Sequence, residues 1–228
     1  MIITSVRAPA QPVSPSPTGL NLTLAVTGAS GSLFAAEMLR ALHADTRVAR
    51  VNFIPSEAAL RVFAEEMQLS GRNHLVEKLL AAAPKKKTGK GSTATLDRKI
   101  RQLSDTDIGS NVASGSYPSD AMIVLPCSMG ALAGIATGLA ASLIERAADV
   151  CLKERRPLIL CVRETPFNRI HLRNMQLASD AGATIFPVMP TLYNLPQDTT
   201  QMARQFVQRV LAHIGLPQPG AYQWKPEA

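Results

Sequence analysis

Five short apolar runs alternate with stretches of helical spacing, and this alternation restricts what the chain can fold into more than any other feature. The runs are Leu22 to Thr27, Val48 to Ile54, Ala121 to Leu125, Pro157 to Val162 and Ala183 to Phe186. Between the first two, Ser32 to His43 places Leu33, Ala36, Leu39 and Leu42 on one helical face. Glu57 to Met67, His74 to Ala83, part of Ala131 to Arg155 and His171 to Ala181 are predicted helices as well. A last helix begins at Asp198 and Gln201, spaced like a capping box, and carries Met202, Phe206, Val207, Val210, Leu211 and Ile214 before Gly215 ends it. Continuous apolar strands belong to a parallel sheet covered on both faces. Right-handed crossovers then give a doubly wound α/β fold, in which ligands bind beyond the carboxyl ends of the strands.

Composition agrees with one such domain. Hydrophobic residues make up 46% and charged residues 18% of the 228, enough apolar material for a single core. Residues 1–20 are predicted to be a flexible Pro/Ser-rich tail, with the domain over 21–228. The tail has no apolar core of a signal peptide, and no apolar stretch reaches the length of about 18 residues that a membrane helix needs. Cys127, Cys151 and Cys161 form no CxxC pair and the four histidines no cluster, so no metal site is expected and a reducing cytoplasm is. The formal charge is +7, but Lys85, Lys86, Lys87, Lys90, Arg98, Lys99 and Arg101 against Asp97 supply +6 of it. This segment, set among Gly89, Gly91 and Ser92, is predicted to be a basic loop insertion over 84–110. A nucleic-acid face is not expected, because no aromatic residue accompanies the cations.

The loops after the strands carry the chemistry. Gly28-Ala29-Ser30-Gly31 is either an anion-binding turn or a plain strand–helix turn, and it is not GxGxxG. Ser56 is placed to cap the next helix, and a capping hydroxyl can also meet a phosphate. Pro126-Cys127-Ser128-Met129-Gly130-Ala131 is again rich in backbone donors; Cys127 reads as a buried thiol, with no His or Asp motif to make it a nucleophile. Ala113 to Tyr117 adds a fourth loop of small residues. Arg146 and Lys153 share a helix face. They are either two cations facing a phosphate or part of an ordinary ion pair with Asp149, four residues before Lys153. Arg163-Glu164 stands at the carboxyl end of a central strand, where packing does not account for a charged pair. An arginine there can grip a phosphate and a glutamate can shuttle a proton.

These segments resemble the UbiX-type flavin prenyltransferases of the flavoprotein superfamily. The resemblance rests on Gly28 to Gly31, Pro126-Cys127-Ser128, Glu145 to Val150 with Lys153 to Pro157, Arg163 to Pro166, His171 to Met175 and the Gly182-Ala183 turn, and it extends from about Leu22 to Trp224. It implies a flavodoxin-like, Rossmann-like three-layer α/β/α sandwich, assembled as a homododecamer. Such enzymes join a dimethylallyl group from dimethylallyl phosphate to N5 and C6 of reduced FMN, without a metal. The prenylated FMN serves UbiD-type decarboxylases.

The resemblance also implies site residues. FMN contacts fall on Gly28, Ala29, Ser30, Ser56, Ser128, Met129, Gly130, Ala131 and Arg163. Prenyl-phosphate contacts fall on Tyr193 and Arg209, with Lys153 and Arg146, and Trp224 closes over the prenyl group. Glu164 is the acid/base glutamate, Glu66 the residue that removes a proton during ring formation, and Ser30 acts near N5. Tyr193-Asn194-Leu195-Pro196-Gln197 departs from the family's Tyr-His-(Arg/Gln)-Pro-Gln. Two other readings stand beside this one. An FMN-dependent decarboxylase of the same superfamily would need a histidine early in the first helix, whereas His43 comes at its end. A non-catalytic flavin-binding module would have no use for Glu164, Lys153, Tyr193 and Arg209 together.

Overall fold

The computed structural model describes residues 19–81 and 99–222. The central strand, β1 (Leu20–Val26), is apolar at five of its seven positions and buried along nearly its whole length. It is followed by α1 (Ser32–Ala44), β2 (Val48–Pro55), α2 (Glu57–Met67), α3 (Leu75–Ala81) and β3 (Ile100–Gln102). Then come β4 (Ala121–Cys127), α4 (Met129–Thr137), α5 (Leu143–Lys153), β5 (Leu158–Val162), α6 (Arg169–Asp180), β6 (Thr184–Ile185) and α7 (Thr199–His213). The strands form one six-stranded sheet in the order β3-β2-β1-β4-β5-β6, with every neighbouring pair parallel. This is the doubly wound α/β sandwich that the alternation predicted.

Side chains alternate across the sheet and build a separate core on each face. Leu22, Leu24 and Val26 pack with Leu39 and Leu42 of α1, Phe63 of α2 and Phe206, Val207 and Val210 of α7. Ala25, Ile54, Met122 and Val124 face the other way, against Leu132, Ile144, Ala147 and Cys151 of α4 and α5. Phe206 makes T-shaped contacts with Phe34 and Phe186 at centroid distances of 5.3 and 5.6 Å, which fixes α7 beside α1. Strand order reverses between β1 and β4, so the crevice for a ligand opens at the carboxyl ends of these two strands.

Several local expectations need correction. The span predicted as a basic loop contains β3: Ile100 to Gln102 pairs with Val51 to Phe53. Three residues with two charged or polar side chains are too short a pattern to read as a strand, and the ladder with β2 creates it. Lys99 is no free loop cation either. Its Nζ donates to the carbonyls of His43 and Asp45, both at 2.7 Å, and so satisfies the carboxyl end of α1. The basic residues from Lys85 to Arg98 lie outside the described residues. Ala131 to Arg155 holds two helices, because Gly138 takes φ 68° and ends α4. Asp198 does cap α7, its Oδ1 accepting from Gln201 N at 2.6 Å. Gln201 returns to the amide of Gln197, however, so the box is not closed on Asp198.

Candidate active site

Three helices begin at one cleft, and each is capped by a serine. Ser56 Oγ accepts from Ala59 N at 3.1 Å at the start of α2. Ser128 Oγ accepts from Ala131 N at 3.3 Å at the start of α4, and Ser142 Oγ from Glu145 N at 3.3 Å at the start of α5. With Thr27, Gly28, Ala58, Ala131, Asp105, Ile144 and Glu145 these serines line a cleft of about 270 Å³. Thr27 ties the two central strands together there. Its hydroxyl donates to Pro126 O at 2.9 Å and accepts from Ser128 N at 2.7 Å. Gly28 is required by proximity, since a Cβ on it would stand 2.4 Å from the Cβ of Ala58. Neither Glu57 and Ala58 in α2 nor Met129 and Gly130 in α4 has an amide partner among the described residues. Two helix N-termini therefore offer free amides and positive dipole ends to one cleft.

α1 begins differently. Its N-cap, Gly31 at φ 131°, has no side chain to cap with. Glu66, from the last turn of α2, accepts from Gly31 N at 3.0 Å and from Ser32 N at 2.7 Å. Burial alone would push its carboxyl upward. Hydrogen bonds from the Ser30 and Ser32 hydroxyls and these two amides outweigh that and hold Glu66 below the ordinary glutamate value. Glu66 and Ser30 are thus in contact, with Glu66 ionised at neutral pH.

A second hollow, of about 310 Å³, opens at the end of β5 and is lined by Arg163, Glu164, Thr165, Phe167 and Pro187 to Met189. Arg163 and Glu164 are exposed. Glu164 Oε1 accepts from Thr165 N at 2.9 Å. Arg163 N donates to Cys127 O at 3.1 Å, which sets this hollow next to the Ser128 turn. Cys127 itself is fully buried and its thiol is pushed up to about 12 by desolvation, so it is an inert packing group.

The remaining candidate cations, Lys153, Arg146 and Arg209, line neither hollow. Lys153 ends α5, about 14 Å along the helix from Ile144 at the cleft. It pairs with Glu154 at 2.5 Å beside Gly115, in the loop that precedes β4. Lys153 therefore stands at the amino edge of the sheet, whereas Glu164 stands at the carboxyl edge. The Asp149–Lys153 ion pair, one of the two readings of this helix face, is not formed; Asp149 pairs with Arg146 at 2.9 Å instead. Tyr193 is 70% exposed in the loop after β6, and Arg209 lies on the exposed face of α7 rather than reaching inward. Trp224 falls outside the described residues. His43 is in the last turn of α1, away from the cleft, which counts against a histidine-dependent decarboxylation.

Thr27, Asp105, Ser142 and Glu145 line or brace the cleft without having been singled out for it. Ser142 and Glu145 had a signal in their Ser-x-x-Glu spacing. Asp105 had none, because its contacts are to residues nearly forty positions away.

A family model described as Flavoprotein matches residues 11–214. The flavin prenyltransferase UbiX of Pseudomonas aeruginosa is 39% identical over 205 residues, covering 89% of this chain and 93% of that protein. Its counterpart in Halalkalibacterium halodurans is 37% identical over 207 residues, with 90% and 93% covered. Among solved structures, the dodecameric FMN-dependent UbiX-like decarboxylase of Escherichia coli O157:H7 superposes with a TM-score of 0.76 at 34% identity, covering 91% of this chain and 100% of that one. AnUbiX (PadA1), in complex with FMN and dimethylallyl pyrophosphate, gives 0.76 at 32% identity, with 92% and 100% covered. The chain belongs to the flavoprotein family and, within it, to the UbiX-type flavin prenyltransferases.

Proposed function

We propose that this protein joins the dimethylallyl group of dimethylallyl phosphate to N5 and C6 of reduced FMN, making prenylated FMN for a UbiD-type decarboxylase. The observation that carries the reading is the adjacency of the serine-capped cleft to the Arg163–Glu164 strand end, in a chain of this family. The donor set suits a phosphate monoester. Ser56, Ser128 and the open amides of Glu57, Ala58, Met129 and Gly130 supply hydrogen bonds to an anion, and Gly28 and Ala29 let the ligand approach the backbone. When bound, reduced FMN supplies the nucleophilic nitrogen and ring carbon.

The protein's own groups handle charge and protons. Arg163 steadies the flavin next to the β5 hollow. Glu164 gives a proton to the departing phosphate as its oxygen becomes more basic. Tyr193 donates its hydroxyl, and Arg209, Lys153 and Arg146 compensate the phosphate charge. Ser30 positions groups near N5. Glu66 accepts the proton released in ring closure; a carboxylate held by four donors is a weak base, so it must give up part of this cap first. Trp224 covers the prenyl group.

Lys153 and Glu164 sit at opposite edges of one sheet, so the prenyl-phosphate end takes its lysine from another copy of the chain. A homo-oligomer supports this. Ile170, Leu172, Met189, Leu192 and Leu195 are each more than half exposed; they fall at the start of α6 and in the loop after β6, and Met189 lines the Glu164 hollow. A patch of this kind calls for a partner surface. No helix among the described residues is long and apolar enough to cross a membrane, and a cytoplasmic site of action goes with the three buried free thiols.

A decarboxylase reading stands second, on the description of the Escherichia coli neighbour. One experiment separates the two. Anaerobic incubation with reduced FMN and dimethylallyl mono- or diphosphate should yield a flavin heavier by one dimethylallyl unit. An unchanged flavin with either donor would remove the prenyltransferase reading.

A further inference from the structure

Of the three helix N-termini at the cleft, two are open and one is closed, and a single residue closes it. In α5, Leu143 N donates to the main-chain carbonyl of Asp105 at 2.8 Å, and Ile144 N donates to Asp105 Oδ1 at 2.9 Å. Glu145 N goes to Ser142. No amide of the first turn is left for a ligand. The carboxylate of Asp105 also occupies the place where the α5 dipole would favour an anion. Glu145 stands beside it on the same wall. Its Oε2 accepts from Ala141 N at 2.7 Å, and its Oε1 lies where a Cβ on Gly134 would come within 2.1 Å, so it is held against α4.

We propose that Asp105 is a specificity-determining residue that closes the third helix N-terminus to phosphate, and so restricts the cleft to a flavin ending in a single phosphate monoester. The inference rests on the FMN-binding reading above. The two open N-termini, at Ser56 and Ser128, hold one phosphate. A second phosphate, as in FAD or inorganic pyrophosphate, meets a wall whose amides are spent and whose two side chains are carboxylates. Because neither carboxylate touches a reacting atom in this account, the effect falls on which anion binds and not on the chemical step.

The test is binding. Flavin fluorescence quenching would give the affinities of FMN and FAD for the wild type, Asp105→Asn and Asp105→Ala. The wild type should prefer FMN over FAD. Asp105→Asn keeps an acceptor for Ile144 N but loses the charge, and should narrow the FMN–FAD gap by about tenfold. Asp105→Ala, which also frees that amide, should narrow it further. Equal weakening of both flavins would make Asp105 a brace only, and an unchanged ratio would likewise overturn the proposal. Should the variants fail to fold, the wild type decides: equal affinity for FAD and FMN overturns the proposal, and a preference for FMN of about tenfold or more supports it. A wild type that takes up neither flavin would instead defeat the FMN reading, an outcome distinct from one that binds both alike.

Discussion

The serine-capped cleft and the prenyl-phosphate residues are built on different principles. The cleft is made of main-chain amides, short hydroxyls and a glycine forced by the neighbouring Ala58, all positioned by helices that start directly after strands β1, β2 and β4 or after the α4–α5 turn. Every component comes from one chain and is fixed by packing. The groups assigned to the prenyl phosphate are long side chains on exposed surfaces: Lys153 at the amino edge of the sheet, Tyr193 in a loop, Arg209 on the outer face of α7. Within one chain, Lys153 stands at the edge of the sheet opposite Glu164. On the proposed reading, the cleft can bind FMN before assembly is complete, whereas prenyl transfer requires the copies to meet.

The sharpest way to separate the two regions is Glu164→Gln. It should slow turnover by about 10²–10⁴-fold, the usual range for loss of a general acid, and leave FMN affinity unchanged. Single-turnover prenylation beside a flavin titration would measure both. If turnover is untouched, Glu164 is no proton donor.

Gly28→Ala should do the reverse. The added Cβ meets Ala58 at 2.4 Å, so the start of α2 must move. Overpacking of this kind costs about 1–3 kcal/mol, and FMN affinity should fall by about 10–100-fold, which the same titration reads. Normal FMN binding would mean that α2 shifts without consequence for the cleft.

Glu66→Ala removes the cap from α1 and should cost about 1 kcal/mol of stability at pH 7. The Glu66 carboxyl is held below its ordinary value in the folded chain. Its contribution is therefore present above the unfolded glutamate value and fades as pH falls through the folded one. Denaturant unfolding from pH 7 down to pH 3 should show the wild type and variant converging at the acid end. A gap that persists there would mean that the carboxylate is not what holds the turn.

The smallest effect concerns the link between α4 and α5. Ala140 takes φ 52°, a left-handed conformation that suits glycine. Ala140→Gly should raise stability by up to about 1 kcal/mol in thermal unfolding. A loss would show that the alanine methyl packs usefully there.

The same contrast explains what the sequence disclosed. Ser56 and Asp198 are local caps, readable because the residues they serve are three positions away. The Gly28 and Ser128 turns were readable because a strand ends and a helix begins beside them. β3 was not, since Ile100-Arg101-Gln102 is a strand only by virtue of pairing with β2. Asp105 was hidden because its helix is nearly forty residues downstream, and Lys99 because nothing local ties a lysine to the end of α1. The Arg146–Asp149 pair shows the limit of spacing rules: two partners stood within reach of Asp149 on one helix, and the structure chose the other. That Lys153 and Glu164 lie on opposite edges follows only from the fold, although both were singled out from the sequence.

Co-assembly tests that separation directly. Lys153→Ala and Glu164→Gln would each be purified as an inactive or nearly inactive protein that still binds FMN. The two would then be co-expressed with different tags, isolated as mixed oligomers and assayed for prenylated FMN. If the prenyl-phosphate end takes its lysine from one copy and its glutamate from another, the mixed oligomers contain some sites with both intact, and activity returns well above that of either variant alone. Mixed oligomers as inactive as their parents would contradict the account, because Lys153 and Glu164 would then have to act within a single chain.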